Sequence, residues 1–212
     1  SAQEKLCKNF TDIPEFEKNR FIQQQQSRFL SQSSNNFSVH YSRCTWIVDP
    51  AVRYITGKVT HYFIASAITN SLTFDLTTQL TVDSVLFRSQ KINFTQQTNQ
   101  TVTVQLSLTL AAQQKDSVQF FYHGVPDNTG FGSFIQQTHN NVPVIWTLSE
   151  PYGARDWWPC KNGLDDKADS IDVYITSPVA YKAASNGLLQ SETPVEGGTK
   201  TKTHWIAAGN VA

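Results

Sequence analysis

The chain has 212 residues, no methionine, a charged fraction of 16% and a formal net charge of zero. That length can bury a substantial core within one large all-β domain, and the balanced charge removes any electrostatic case for nucleic acid or an anionic membrane. Apolar runs are broken every few residues, and none approaches the roughly 20 needed for a helix to span a bilayer.

Residues 3–34 read as a helical lead-in. Asp12 and Glu15 fit a capping-box variant with Pro14 tolerated in the first turn, and Ile22, Phe29 and Leu30 share one helical face. The run Gln23–Gln26 is a solvated face, and residues 31–36 break the pattern. Residues 1–36 are therefore expected to form a helical N-terminal extension and linker.

From Phe37 onward strands dominate. Phe37, Val39 and Tyr41 alternate with polar residues, and after Arg43 the phase changes to Cys44, Trp46 and Val48, which predicts a bulge. Val59, His61, Phe63 and Ala65 share a face, as do Leu72, Phe74 and Leu76. Val102, Val104, Leu106, Leu108 and Leu110 give the cleanest alternation, followed by Val118, Phe120 and Tyr122. Further along come Ile171, Val173 and Ile175, then a Gly197-Gly198 hairpin turn ahead of Thr199, Thr201, Thr203 and Trp205. Many short alternating strands without intervening helices predict antiparallel sheets packed face to face, an all-β sandwich or saddle over residues 37–212. The chain stops at Gly209-Asn-Val-Ala212 just after a strand signal, which reads as cut, not finished.

Three cysteines, Cys7, Cys44 and Cys160, permit one disulfide and a leftover thiol but no disulfide framework. Buried structural thiols are the simpler reading, above all for Cys44 beside Trp46. The five histidines are scattered with no second histidine three to five residues away, so there is no HExxH and no local zinc-ligand pair. His40, His61 and His204 lie in strand signals and read as ordinary strand histidines. A G-x-S-x-G elbow, a Walker loop and a Rossmann fingerprint are likewise missing. No catalytic residue and no metal ligand is assigned in this chain.

The chemistry concentrates in residues 147–168, TLSEPYGARDWWPCKNGLDDKA, an irregular connection between the strand signal at Val142–Trp146 and the one at Ile171. Irregular loops held on rigid scaffolds commonly carry function. Ser149-Glu150-Pro151-Tyr152-Gly153-Ala154-Arg155-Asp156-Trp157-Trp158-Pro159-Cys160, with Lys167-Ala168 after it, resembles the N-terminal-domain signature of the M1 (gluzincin) family of zinc aminopeptidases, E-P-x-x-A-R-x-x-F-P-C-x-D-x-P-x-x-K-A-x-F. Tyr122-x-Gly124 ahead of Gly130-Phe131 resembles the family's Y-x-G…G-F segment, Ser185-Asn186-Gly187 its S-N-G turn, and Trp46–Gly57 its opening strands. The departures are Trp158 and Ser170 for Phe, Asn162 for Asp and Leu164 for Pro; the E-P-x-x-A-R core is intact.

The resemblance implies the β-rich N-terminal domain of a larger peptidase, separated from a zinc catalytic domain that would supply the metal, so no cofactor is expected in these residues. It implies that Glu150 binds the free α-ammonium of a peptide substrate. A charge-assisted hydrogen bond of that kind contributes about 1.5–3 kcal/mol. It also implies a cis Glu150–Pro151 bond aiming the carboxylate. Pro151, Arg155, Trp158, Pro159 and Cys160 are expected to support the loop, with Asp156 and Asp165 as candidate partners of Arg155. The expected partners are the peptide amino terminus and, within the same polypeptide, the zinc domain. Two other readings stand beside this one: a stand-alone binding module stacking carbohydrate on Trp46, Trp157 or Trp158, and a noncatalytic scaffold. The Gln- and Asn-rich, charge-poor composition is compatible with an extracytoplasmic bacterial protein.

Overall fold

In the computed structural model, residues 32–128, 132–149, 152–163 and 166–211 are described. The helical lead-in expected over residues 3–34 lies outside them, apart from its last three positions. Residues 32–36, read from the sequence mainly as linker, hydrogen-bond to the domain. Gln32 N donates to Asp75 Oδ1 at 2.8 Å, Ser34 N to Thr73 O at 3.0 Å and Asn36 Nδ2 to Thr69 Oγ1 at 2.6 Å.

The alternating segments are strands: β1 (Phe37–Asp49), β2 (Val52–Ala65), β3 (Thr69–Asp75), β4 (Leu80–Phe87), β5 (Gln90–Ile92), β6 (Phe94–Gln97), β7 (Thr101–Leu110), β8 (Lys115–Gly124), β9 (Ile135–His139), β10 (Val142–Trp146), β11 (Ala168–Pro178), β12 (Leu188–Val195) and β13 (Lys200–Val211). Eight form one sheet in the order β12-β13-β11-β1-β2-β8-β4-β5, three form a second in the order β3-β7-β6, and β9 and β10 make a separate hairpin. Pairing is antiparallel except between β1 and β11, which run parallel with Cys44 opposite Val173. That pairing joins segments far apart in sequence, and nothing local announces it.

The three-stranded sheet covers the middle of the large one. Its inward side chains Leu72, Phe74, Val102, Val104 and Leu110 are fully buried, as are Phe37, Val59, Phe63, Phe120 and Phe87 opposite. Phe74 is the centrepiece, its ring centroid 4.9 Å from Phe37, 4.9 Å from Phe120 and 5.1 Å from His61. Burying a side chain of that size stabilises the fold by roughly 1.5–3 kcal/mol. The outer strands β11, β13 and β12 extend beyond this cover, and β12 is almost wholly exposed.

The bulge expected in β1 is present but sits earlier than the sequence suggests. The β1–β2 register shifts between Val39 and Tyr41. The inward face therefore passes from Phe37 and Val39 to Ser42, Cys44 and Trp46, all buried. Tyr41 faces outward, its ring 5.0 Å from that of Tyr62. A polar Ser42 goes inside because His61 Nδ1 lies 2.9 Å from its hydroxyl.

Candidate functional site

The connection after β10 crosses the large sheet beside the small one, and its described part is fastened along its length. A 3-10 turn spans Ala154–Asp156. Gly153 N donates to Ser149 O at 2.7 Å. A Cβ at Gly153 would lie 2.8 Å from Ser133 Cβ, so the close approach admits only glycine without adjustment. Asp156 is buried, with its carboxylate accepting from Ser133 Oγ and its carbonyl from Asp127 N at 3.0 Å.

Two side chains of the large sheet reach up to loop carbonyls. Tyr122 on β8 donates its hydroxyl to Trp157 O at 3.0 Å and accepts from Trp46 Nε1 at 2.9 Å. His61 on β2 engages Pro159 O through Nε2 at 2.9 Å, so Nε2 carries the proton and Nδ1 accepts from Ser42. Burial pushes the His61 pKa down from its ordinary 6.5 to about 4, against the opposing pull of the Pro159 carbonyl. The imidazole is therefore a neutral clasp near pH 7.

Beyond Pro159 the loop is stitched to the end of β3. Asp75 N donates to Cys160 O at 2.8 Å and Cys160 N to Asp75 O at 3.1 Å, a one-residue antiparallel bridge. The buried Asp75 carboxylate accepts from Asn162 N at 3.1 Å, and Asn162 Nδ2 donates to Tyr152 O at 2.8 Å, closing the loop on itself. Asn162 stands where the signature has Asp; its amide supplies that donor and adds no second charge beside Asp75. Lys161 Nζ contacts Asp166 Oδ2 and Phe37 O, both at 2.7 Å.

The residues assigned to loop support fall as follows. Arg155 is half-buried in the 3-10 turn, and its carbonyl accepts from Thr77 N at 2.9 Å. Trp158 is half-buried, stacked on His61 at 5.9 Å and edge-on to Trp46 at 6.1 Å. Pro159 and Cys160 are buried. Glu150, Pro151 and the bond between them lie outside the described residues, as does Asp165. Sequence reasoning missed Tyr122, His61, Asp75 and Asn162 as fasteners; Tyr122 carried a signal through Tyr122-x-Gly124 and Asn162 through its place at the signature's Asp, whereas His61 and Asp75 carried none. Gly124 has φ +144° and a Cβ there would meet Gln79 O at 2.8 Å, so the motif's glycine answers a backbone approach.

Trp46 and Trp157 are 6% and 8% exposed, which leaves them no free face on which a sugar could stack. Burial pushes the Cys44 and Cys160 thiols up, and both are free cysteines. Among the described residues no three His, Cys, Asp or Glu side chains gather as a metal-binding group, and no helix is long and apolar enough to cross a membrane. Exposed apolar side chains among the described residues include Ile47, Val52, Tyr54, Val125, Trp146 and Leu148, on β1, β2, β10 and the segments after β8 and β10. Gln136 Nε2 to Pro50 O at 2.6 Å and Arg53 Nη2 to Pro126 O at 2.9 Å tie those segments together.

The peptidase M1 N-terminal domain model matches residues 37–208. The chain belongs to that family. Three solved structures from Deinococcus radiodurans share the fold of this M1 N-terminal domain. An M1 zinc metallopeptidase is 22% identical, with TM-score 0.72, covering 82% of this chain and 39% of its own. A mutant of it is 23% identical, with TM-score 0.72 and the same coverage. A mutant bound to a Tyr-Ser-Ala substrate is 24% identical, with TM-score 0.71, covering 82% of this chain and 40% of its own. The M1 domain thus spans about two-fifths of the length of these structures. Among curated proteins, none matches the chain.

Proposed function

We propose that this M1 N-terminal domain anchors substrates for a zinc-dependent aminopeptidase, with Glu150 binding the free α-ammonium of the peptide. The observation that carries this reading is family membership across residues 37–208 with the Glu150-Pro151-x-x-Ala154-Arg155 core unaltered. An aminopeptidase must tell an α-ammonium from an internal peptide nitrogen. A carboxylate in a partly desolvated site does so, because a substrate lacking the charge leaves the carboxylate unpaired. The metal and the groups that activate water belong, in this reading, to a second domain. A structurally similar M1 zinc metallopeptidase holding a Tyr-Ser-Ala substrate supports a peptide as the ligand class.

In an enzyme joining this domain to its zinc domain, Glu150→Ala is expected to lower kcat/KM for peptides with a free amino terminus by roughly 10- to 100-fold, the worth of one charge-assisted hydrogen bond. Zinc content should not change. Equal kcat/KM in both forms removes Glu150 from the site. The 212-residue chain by itself is expected neither to bind stoichiometric zinc nor to cleave aminoacyl reporters.

A further inference from the structure

We propose that Trp157 is a positioning residue, whose indole N–H fixes Ser149, the residue immediately before Glu150, relative to the sheet core. Trp157 occupies a variable position of the signature, so the motif assigns it nothing. Its Nε1 donates to Ser149 Oγ at 2.9 Å, and Ser149 O in turn accepts from Gly153 N at 2.7 Å. The side chain and the carbonyl of Ser149 are therefore both held by residues of the following stretch, Trp157 and Gly153.

What holds Trp157 is built into three strands. Trp46, Gly57 and Tyr122 are cross-strand neighbours on β1, β2 and β8. A Cβ at Gly57 would fall 2.2 Å from Tyr122 Cζ, so the missing side chain is the space in which the phenol lies across β2. From there its oxygen reaches both Trp46 Nε1 and Trp157 O. An indole N–H can only donate, so Trp46 takes an acceptor position on the phenol and the phenol's single proton is left for the Trp157 carbonyl. The indole of Trp157 then has one donor, spent on Ser149. Every proton in the series Trp46, Tyr122, Trp157, Ser149 runs outward from the core with no alternative direction. The ring itself is wedged between Trp46 at 4.5 Å and Phe134 at 6.2 Å. Side chains locked in this way are what keeps a binding group within the tight tolerance that function requires.

The consequence for substrate rests on the reading of Glu150 as the anchor, and the test separates the two. Trp157→Phe in the 212-residue chain keeps an aromatic ring in the wedge and deletes the donor to Ser149. Amide hydrogen exchange is expected to become roughly tenfold faster at Gly153, the factor that loss of one hydrogen bond permits. The amides of Asp75 and Cys160, in the bridge farther along the loop, should be unaltered. Ser149→Ala, which removes the acceptor and leaves the indole packed, should reproduce the change at Gly153. Unaltered protection at Gly153 in both variants overturns the proposal. So does faster exchange at Gly153 and the bridge alike, since that marks a packing residue only. In the enzyme with its zinc domain, Trp157→Phe should raise KM for free-amino-terminus peptides several-fold while kcat changes less. Glu150→Gln provides the separation: if it leaves kcat/KM intact the anchor reading fails, while the role of Trp157 stands or falls on exchange at Gly153.

Discussion

Two stretches of this M1 domain reverse the usual association of regular backbone with buried structure. The β12–β13 hairpin is an antiparallel ladder with one register shift between Leu189 and Ser191, yet β12 is exposed along nearly its whole length, with Leu188 at 74%. Residues 152–162 contain one short 3-10 turn, yet Asp156, Trp157, Pro159, Cys160 and Asn162 are buried. Each of those five uses a backbone amide or carbonyl in a hydrogen bond to a group from a distant segment. Buried backbone groups must find partners somewhere. In the hairpin they find them in the neighbouring strand, and in the loop in side chains and strand ends of the sandwich. The loop is therefore specific to this sandwich, whereas the hairpin's ladder would form on any strand of suitable length.

The comparison is broken most severely by attacking the loop's ion pair. Lys161 is 9% exposed, contacts Asp166 at 2.7 Å, donates to Phe37 O and lies 4.6 Å over the Phe37 ring. Asp166 in turn accepts from Ser38 Oγ and from Val39 N at 3.3 Å. The pair is largely but not fully buried, so removing one partner leaves the other charge poorly compensated. Lys161→Ala is therefore expected to lower unfolding free energy by about 3 kcal/mol, the low end for a buried pair. Urea denaturation measures it, and a loss below about 1 kcal/mol would place this pair with the surface ones.

Acid should loosen the same region. Folded His61 titrates at about 4 and its ordinary value is 6.5. Between those values the unfolded chain binds a proton that the folded chain excludes, so stability rises with pH across the window. The contribution is present above about pH 6.5, erodes as pH falls, and is gone once pH drops through about 4. The separation corresponds to about 3 kcal/mol. His61→Gln should flatten the dependence of unfolding free energy on pH between 6.5 and 4, relative to the parent chain, by about that amount. Parallel profiles would show that the imidazole is not the group being titrated.

How much of this was legible follows from the same contrast. Alternation identified β7 because its inward residues Val102, Val104, Leu106 and Leu110 are all apolar and all buried. It misplaced the β1 bulge because Ser42 enters the core and Tyr41 does not, an exchange decided by His61 on another strand. It left β12 out because an exposed strand carries no burial pattern to read. The irregular stretch was found by composition and by resemblance; within it Pro159 and Cys160 are buried and Arg155 and Trp158 half-buried. Its fasteners were invisible for a simple reason: His61 is 98 residues from Pro159 and Asp75 is 87 from Asn162. A single sequence records such residues as an ordinary strand histidine and a strand-end carboxylate.

The smallest effect is the sharpest control. Lys182 and Glu192, beside the exposed edge, approach to 2.5 Å, closer than Lys161 and Asp166, but Lys182 is 82% exposed. If separation set the energy, this pair would be the stronger. Solvent screening and the entropy of holding two long side chains reduce an exposed pair to between zero and about 1 kcal/mol. Lys182→Ala is therefore expected to change unfolding free energy by less than about 0.5 kcal/mol, and the difference from parent should shrink further in molar salt. A loss as large as that of Lys161→Ala would mean that burial is not what separates the two regions, and that the edge hairpin is as tightly specified as the loop.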